Sequence, residues 1–299
     1  MSSQDSKKIY LFGYPISHSH SPFLQNTAYG LLSLPWTYTL FESTSIPDFL
    51  KVLHAPICVG SAVTMPYKVA IIPHLDGLLD EGRVIGAVNT IIIKEENGRR
   101  TYTGTNTDCI GIRDALLSKS PKHPPKSSAG MVIGGGGTTR AAVYALHKFL
   151  GCSPIYLVNR DDKEVQDVID HFAETLPVEL IHLSSSAAAD KIDAPRYIVG
   201  AIPDFTPQSP AEVLVREIAT KVFKKNEKGV FLDMCYKPRW TQLLEIARGN
   251  GWQTVEGLEA MIGQGIAQIS IWSGLPKEKI PADKLSELLR SEVDRKGGS

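Results

Sequence analysis

Short apolar runs alternate along the chain with amphipathic stretches, the pattern of an α/β protein with mostly parallel sheets. Ile9–Phe12, Ile57–Thr64 and Ala87–Ile93 read as buried strands in the N-terminal half. Between the first two, Ser21-Pro22 reads as an N-cap followed by proline at the first helical position, opening a helix to about Leu32. Asp108–Ser118 patterns as a helix with Ile110, Ile112, Leu116 and Leu117 as its buried positions. Lys119–Ser128 then holds three prolines and no other apolar side chain, so it is expected to be a loop.

Beyond that loop the pattern restarts. Met131–Ile133 reads as a strand, Gly134–Gly137 as a glycine turn, and Thr138–Leu150 as a helix closed by Gly151 at C′. Further strands are expected at Ile155–Val158, Val178–Leu183, Arg196–Ala201 and Val230–Met234. Pro210–Phe223 is helix-like, and Gly257–Ser273 and Ala282–Arg295 are closing helices. There is no internal repeat, and 299 residues are enough for two domains.

Composition narrows the function classes. Lys plus Arg equals Asp plus Glu at 32 each, so no global field favours nucleic acid or an anionic membrane as a partner. A small-molecule substrate must then be attracted by local groups. Cys58, Cys109, Cys152 and Cys235 are scattered without a C-x-x-C, so neither a metal site nor a disulfide framework is expected. Met1–Lys8 is polar and lacks the apolar core of a signal peptide, and no window approaches 18 uninterrupted apolar residues. A reduced, cytoplasmic protein is the expectation.

Gly134-Gly135-Gly136-Gly137 follows a strand and opens a helix, the setting a dinucleotide-binding turn requires. Glycine lets the backbone approach a pyrophosphate, and the N–H groups of the helix start hold its charge. Thr139 stands where the third fingerprint glycine would be. The next strand ends in Asn159-Arg160. An arginine there suits the 2′-phosphate of NADP, whereas the following Asp161 and Asp162 repel a phosphate or serve as helix caps.

The N-terminal half carries further chemistry. Gly13–Pro22 (GYPISHSHSP) places the hydroxyls of Ser19 and Ser21 two residues apart. Ala62–Lys68 (AVTMPYK) sets Thr64 and Lys68 at the end of a buried strand. GAVNT supplies Asn89, and TNTD supplies Asp108 at a helix start. Each alone matches an ordinary cap, a solvated lysine or a turn.

In their order these motifs resemble the shikimate dehydrogenase family, quinate–shikimate dehydrogenases included. The resemblance runs from about residue 9 to 276 and takes in Tyr236 of DMCY and Gln264 of GLEAMIGQG. It implies a two-domain α/β fold: an N-terminal substrate domain over 1–118, completed by the C-terminal helices 258–299, and a Rossmann-like NAD(P)-binding domain over 119–257. It implies that Ser19, Ser21 and Tyr236 bind the substrate carboxylate, that Thr64, Asn89 and Gln264 hold ring hydroxyls, and that Lys68 and Asp108 flank the carbon that exchanges hydride. Gly134, Gly135, Gly136, Gly137, Thr138, Asn159, Arg160 and Gly257 would bind the cofactor, NADP with NAD as the alternative. The activity implied is reversible reduction of 3-dehydroshikimate by a monomer or homodimer.

The chain departs from the family pattern at Ala62, where asparagine is frequent, at Cys109 after N-T-D, at Gly200-Ala201-Ile202-Pro203 in place of N-A-T-S, and at Asp161 after N-R. A quinate or dual-specificity dehydrogenase stays open, as does a non-catalytic sensor derived from the same fold. Retention of Lys68, Asp108 and the glycine turn speaks for an enzyme over a sensor.

Overall fold

A computed structural model of the chain describes residues 7–120 and 128–297. It divides into two compact units, one formed by Met1–Thr107 with Gln264–Ser299 and the other by Asp108–Gly263.

The first unit contains β1 (Lys7–Gly13), α1 (Ser21–Leu31), β2 (Trp36–Glu42), α2 (Ile46–Leu53), β3 (Cys58–Val63), β4 (Gly77–Leu78), α3 (Asp80–Ile85), β5 (Thr90–Glu96) and β6 (Arg99–Thr105). Its sheet has the order β2-β1-β3-β5-β6-β4. β1 pairs in parallel with β2 and β3, whereas β5 runs antiparallel to both β3 and β6. The β5–β6 hairpin closes at the Asn97-Gly98 turn, where both residues take positive φ (53° and 73°). Phe12, Phe49, Val63 and Ile91 sit in the core under this sheet, with the Phe12 and Phe49 rings stacked at 4.3 Å.

Antiparallel β5 decides where the site lies. Parallel β1 and β3 end at one edge of the sheet, and β5 begins at that edge while β6 ends there, as the Thr90–Thr105 pairing shows. Four loops therefore converge outside one edge, the usual place for a ligand in an open α/β sheet.

The second unit contains α4 (Asp108–Leu117), β7 (Ser128–Ile133), α5 (Gly137–Tyr144), β8 (Cys152–Val158), α6 (Asp162–Thr175), β9 (Leu180–His182), α7 (Ser186–Lys191), β10 (Tyr197–Gly200), α8 (Pro210–Phe223), β11 (Val230–Asp233), α9 (Gln242–Gly249) and β12 (Gln253–Val255). All its described strand pairings are parallel, in the order β12-β11-β10-β7-β8-β9. Counted from β7 this is 3-2-1-4-5-6 read from the β9 edge, the doubly wound order of dinucleotide-binding folds. α10 (Gly257–Ser273) starts in this unit, and the chain passes back to the first unit at Gln264; α11 (Ala282–Gly297) follows.

Most expected elements appear within a residue or two of their sequence bounds. The expected start of α1 does change: His20 is the N-cap residue, and Ser21 and Pro22 occupy the first turn. The reason lies in Ser19, whose Oγ accepts from the Ser21 backbone N–H at 3.2 Å and so draws Ser21 into the helix. Residues 121–127 of the expected proline-rich loop lie outside the described residues.

Candidate active site

In the first unit, backbone hydrogen bonds draw the candidate residues to the shared sheet edge. Thr64 N–H donates to the Phe12 carbonyl at 2.8 Å, and Val63 N–H to that of Asn89 at 2.9 Å. Val88 N–H donates to the Lys68 carbonyl at 2.7 Å, which sets Lys68 beside the strand that begins after Asn89. Gly13 makes this packing feasible, since a Cβ there would lie 2.4 Å from Thr64 Cγ2. The serine loop is tied down by Glu42 at the end of β2, whose Oε2 accepts from Ile16 N–H at 3.2 Å. Ser19 Oγ accepts from Ser21 N–H at 3.2 Å, a bond that leaves its hydroxyl proton available to donate.

A buried polar network fixes Asn89. Its Oδ1 accepts from Thr107 N–H at 2.8 Å and from the Thr90 hydroxyl at 2.7 Å, and its Nδ2 lies 3.1 Å from Thr107 Oγ1. The Thr107 hydroxyl is 3.3 Å from Gln264 Oε1. Gln268 Nε2 donates to Thr90 Oγ1 at 2.9 Å, and Gln25 Nε2 donates to Gln268 Oε1 at 3.2 Å. Gln25, Asn89, Thr90, Thr107 and Gln268 are all buried. The bonds to Asn89 hold its amide in one orientation, the preorganisation a polyhydroxylated ligand needs.

Ser19, Ser21, Thr64, Lys68, Asn89 and Gln264 thus belong to the first unit, whereas Asp108, Tyr236 and the expected cofactor residues fall in the second. Asp108 is the first residue of α4 and is buried. It directly follows Thr107, so the Asn89–Thr107 bond anchors its backbone from one side. Tyr236 lies half-buried in the loop after β11, where burial pushes its phenol pKa up. Sequence reasoning did not assign Gln25, Thr90, Thr107 or Gln268. Thr90, inside GAVNT, and Thr107, inside TNTD, carried a local signal.

In the second unit the glycine turn follows β7 and ends at Gly136, the N-cap of α5. Gly134 takes φ +144°, and a Cβ on it would lie 2.9 Å from both the Ala201 carbonyl oxygen and Thr139 Oγ1. Thr139, buried at the third fingerprint position, therefore packs into space that Gly134 vacates. Gly135 has no room for a Cβ, which would lie 2.4 Å from Asn159 Nδ2 and from Glu164 Oε2. Gly136 faces open space, and Thr138 stands in the first turn of α5, so the turn and the helix start together form a cradle suited to a pyrophosphate. Gly257 opens α10 against the Met234 carbonyl oxygen, which a Cβ would approach to 2.6 Å.

Asn159 and Arg160 leave the end of β8. Asn159 Nδ2 donates to Glu164 Oε2 at 2.6 Å. Arg160 Nη1 donates to Glu212 Oε1 at 2.5 Å. Asp161 caps α6, its Oδ1 accepting from the N–H groups of Lys163 and Glu164. Arg160, Asp161, Asp162, Lys163 and Glu212 line an open cleft of about 570 Å³.

A substrate-loop set on an α/β sheet edge and a doubly wound unit with a glycine cradle define a two-unit dinucleotide-binding protein. Residues 11–91 match the shikimate dehydrogenase substrate binding domain. The quinate dehydrogenase of Emericella nidulans is 42% identical over 287 residues, covering 89% of this chain and 87% of that one. The chain belongs to the shikimate dehydrogenase family. Among solved structures it is similar to the dehydroquinate dehydratase and shikimate dehydrogenase portion of S. pombe AroM, at 37% identity and TM-score 0.77, covering 95% of this chain and 52% of that one. The shikimate 5-dehydrogenase of Thermus thermophilus with NADP(H) and shikimate is 26% identical, with TM-score 0.75, covering 95% of this chain and 99% of that one. That of Listeria monocytogenes with shikimate and NAD is 27% identical, with TM-score 0.79, covering 96% and 97%.

Proposed function

We propose that the chain is an NAD(P)-dependent dehydrogenase that reversibly reduces 3-dehydroshikimate to shikimate. The observation that carries this reading is the buried network through Asn89, Thr107 and Gln264, which presents fixed amides at the sheet edge where the Ser19–Ser21 loop and Lys68 also lie. Ser19, Ser21, Thr64, Lys68, Asn89 and Gln264 of the first unit serve the hydroxy acid, and the glycine turn with Asn159, Arg160 and Gly257 of the second serves the dinucleotide. Ser19 and Ser21 donate to the carboxylate, with Tyr236 as a further ligand. Thr64, Asn89 and Gln264 orient the ring hydroxyls.

The bound cofactor supplies the hydride. Lys68 hydrogen-bonds the substrate carbonyl oxygen and donates a proton to it as negative charge develops. Asp108 is the other member of the catalytic pair and binds the neighbouring hydroxyl. General acid–base help of this kind is worth about 10²–10⁴ in rate.

A quinate dehydrogenase is the second reading, favoured by the 42% identical relative of similar length. The two acids differ at the carboxylate-bearing carbon. Quinate adds a hydroxyl there, which must pair beside Ser19 and Ser21 or cost about 1–3 kcal/mol. Steady-state kcat/KM for shikimate and quinate, each with NADP and NAD, tests both readings. Shikimate is expected to lead by roughly tenfold; a higher value for quinate selects the second reading, and no turnover of either acid rejects both.

A further inference from the structure

We propose that Glu212 is a specificity-determining residue for the cofactor: it engages the guanidinium of Arg160, weakens the site for the 2′-phosphate of NADP and thereby opens it to NAD. The inference rests on the dehydrogenase reading above and concerns residues of the second unit alone.

Arg160 stands where the strand after the glycine turn ends, the position that meets the adenosine ribose in this fold. Its Nη1 is committed to Glu212 Oε1 at 2.5 Å, and its guanidinium lies 6.0 Å from the Phe205 ring. Glu212 is not a loose surface carboxylate. Its Oε2 accepts from the backbone N–H groups of Gln208 at 3.0 Å and Ser209 at 3.1 Å, completing the capping box of α8. Those two backbone donors, and then Arg160, hold its carboxyl well below the usual range, at about 2. It is therefore ionised throughout the working pH range.

The surroundings add to the effect. Asp161, Asp162 and Glu212 line the cleft beside Arg160. The other cation there, Lys163, is paired with Asp167 at 2.8 Å. A 2′-phosphate carries a charge of about −1.5 to −2 near neutral pH. To reach Arg160 it must displace a carboxylate that backbone donors fix in place, or bind next to it. A 2′-hydroxyl brings no such charge and can pair with the same carboxylates.

Glu212→Gln removes the charge and retains an oxygen for the Ser209 N–H, since glutamine also serves in a capping box. Calorimetry with adenosine 2′,5′-bisphosphate and with AMP isolates the 2′-phosphate from catalysis. Glu212→Gln should tighten the bisphosphate about tenfold and leave AMP within about twofold. The ratio of kcat/KM for NADP over NAD should rise in parallel. Arg160→Gln should then weaken the bisphosphate far more in the Glu212→Gln background than in the wild type, because only there is the guanidinium released. Equal tightening of both nucleotides, an unchanged ratio, or the same Arg160→Gln loss in both backgrounds overturns the role of Glu212. Wild-type protein that binds neither NADH nor NADPH rejects the dehydrogenase reading itself.

Discussion

Gln268 on α10 donates to the hydroxyl of Thr90 at 2.9 Å, and through it reaches the amide that the family reading assigns to substrate. Its Nε2 also lies 3.4 Å from the Asn89 carbonyl oxygen, yet no motif assigns Gln268 itself to a ligand. Its other end accepts from Gln25 on α1, so two helices hold one strand end between them. Asn89 is thereby positioned by a side chain 179 residues further along the sequence.

Replacing Gln268 with leucine should leave Gln25 and Thr90 short of a partner in a buried setting. A loss of about 1–3 kcal/mol in unfolding free energy is expected, read by urea denaturation. Steady-state kinetics on the folded variant should show KM rising more than kcat falls. An unchanged KM beside a full stability loss would make Gln268 purely structural.

Lys68→Ala should lower kcat by about 10²–10⁴ with little change in thermal midpoint. Asp108→Asn should act on the same step. The double variant should lose less than the two single losses combined, since residues that act as a unit are not additive. Full additivity in kcat would separate them.

Asp233 gives a pH signature. It is buried at the end of β11, where it accepts from the Thr241 hydroxyl at 2.6 Å and from Cys235 N–H at 3.1 Å. Burial pushes its pKa up to about 6 from an ordinary 3.8, against the lowering effect of those bonds. Between those values the folded state holds the proton and the unfolded state does not, so stability falls as pH rises through the window. Asp233→Asn carries no titration. Its stability relative to wild type should rise between pH 4 and pH 7 by up to about 3 kcal/mol. Denaturation curves that stay parallel across that range would remove Asp233 as the source.

Gly134→Ala should destabilise the second unit and abolish dinucleotide binding together, because φ +144° and the Ala201 carbonyl both oppose a Cβ. Gly136→Ala, which faces open space, should be tolerated by the fold. Quenching of tryptophan fluorescence by NADH, alongside thermal melts, separates the two. Equal behaviour of both variants would show that backbone conformation is not what the turn demands.

The second unit was the more legible in sequence, for local reasons. Ser209, Pro210 and Glu212 form a complete start signal, and α8 spans the expected Pro210–Phe223. β7 and β8 are short apolar runs bounded by glycine and by charge. In the first unit, β2 and β6 alternate threonine with aromatic or charged residues and read as weak strands. Only pairing with β1 and β5 makes them strands. The site divided in the same way. Ser19, Thr64, Lys68 and Asn89 sit in short motifs, whereas Gln268 and Glu212 act on partners far along the chain. Arg160 was visible in Asn159-Arg160, but the carboxylate that claims it arrives 52 residues later. No local spacing rule reaches that distance.

The first unit borrows pieces from the segment that follows the second unit in sequence. Trp272 fills the space beside Gly60, where a Cβ would lie 2.5 Å from the indole, and donates through Nε1 to the Ile91 carbonyl at 3.0 Å. During synthesis the strands around Gly60 and Ile91 therefore emerge long before the tryptophan that covers them. Asp108–Gly263, unbroken in sequence, can complete itself on the ribosome. The first unit has to wait with an open seam until the whole of Asp108–Gly263 and then Trp272 have been made.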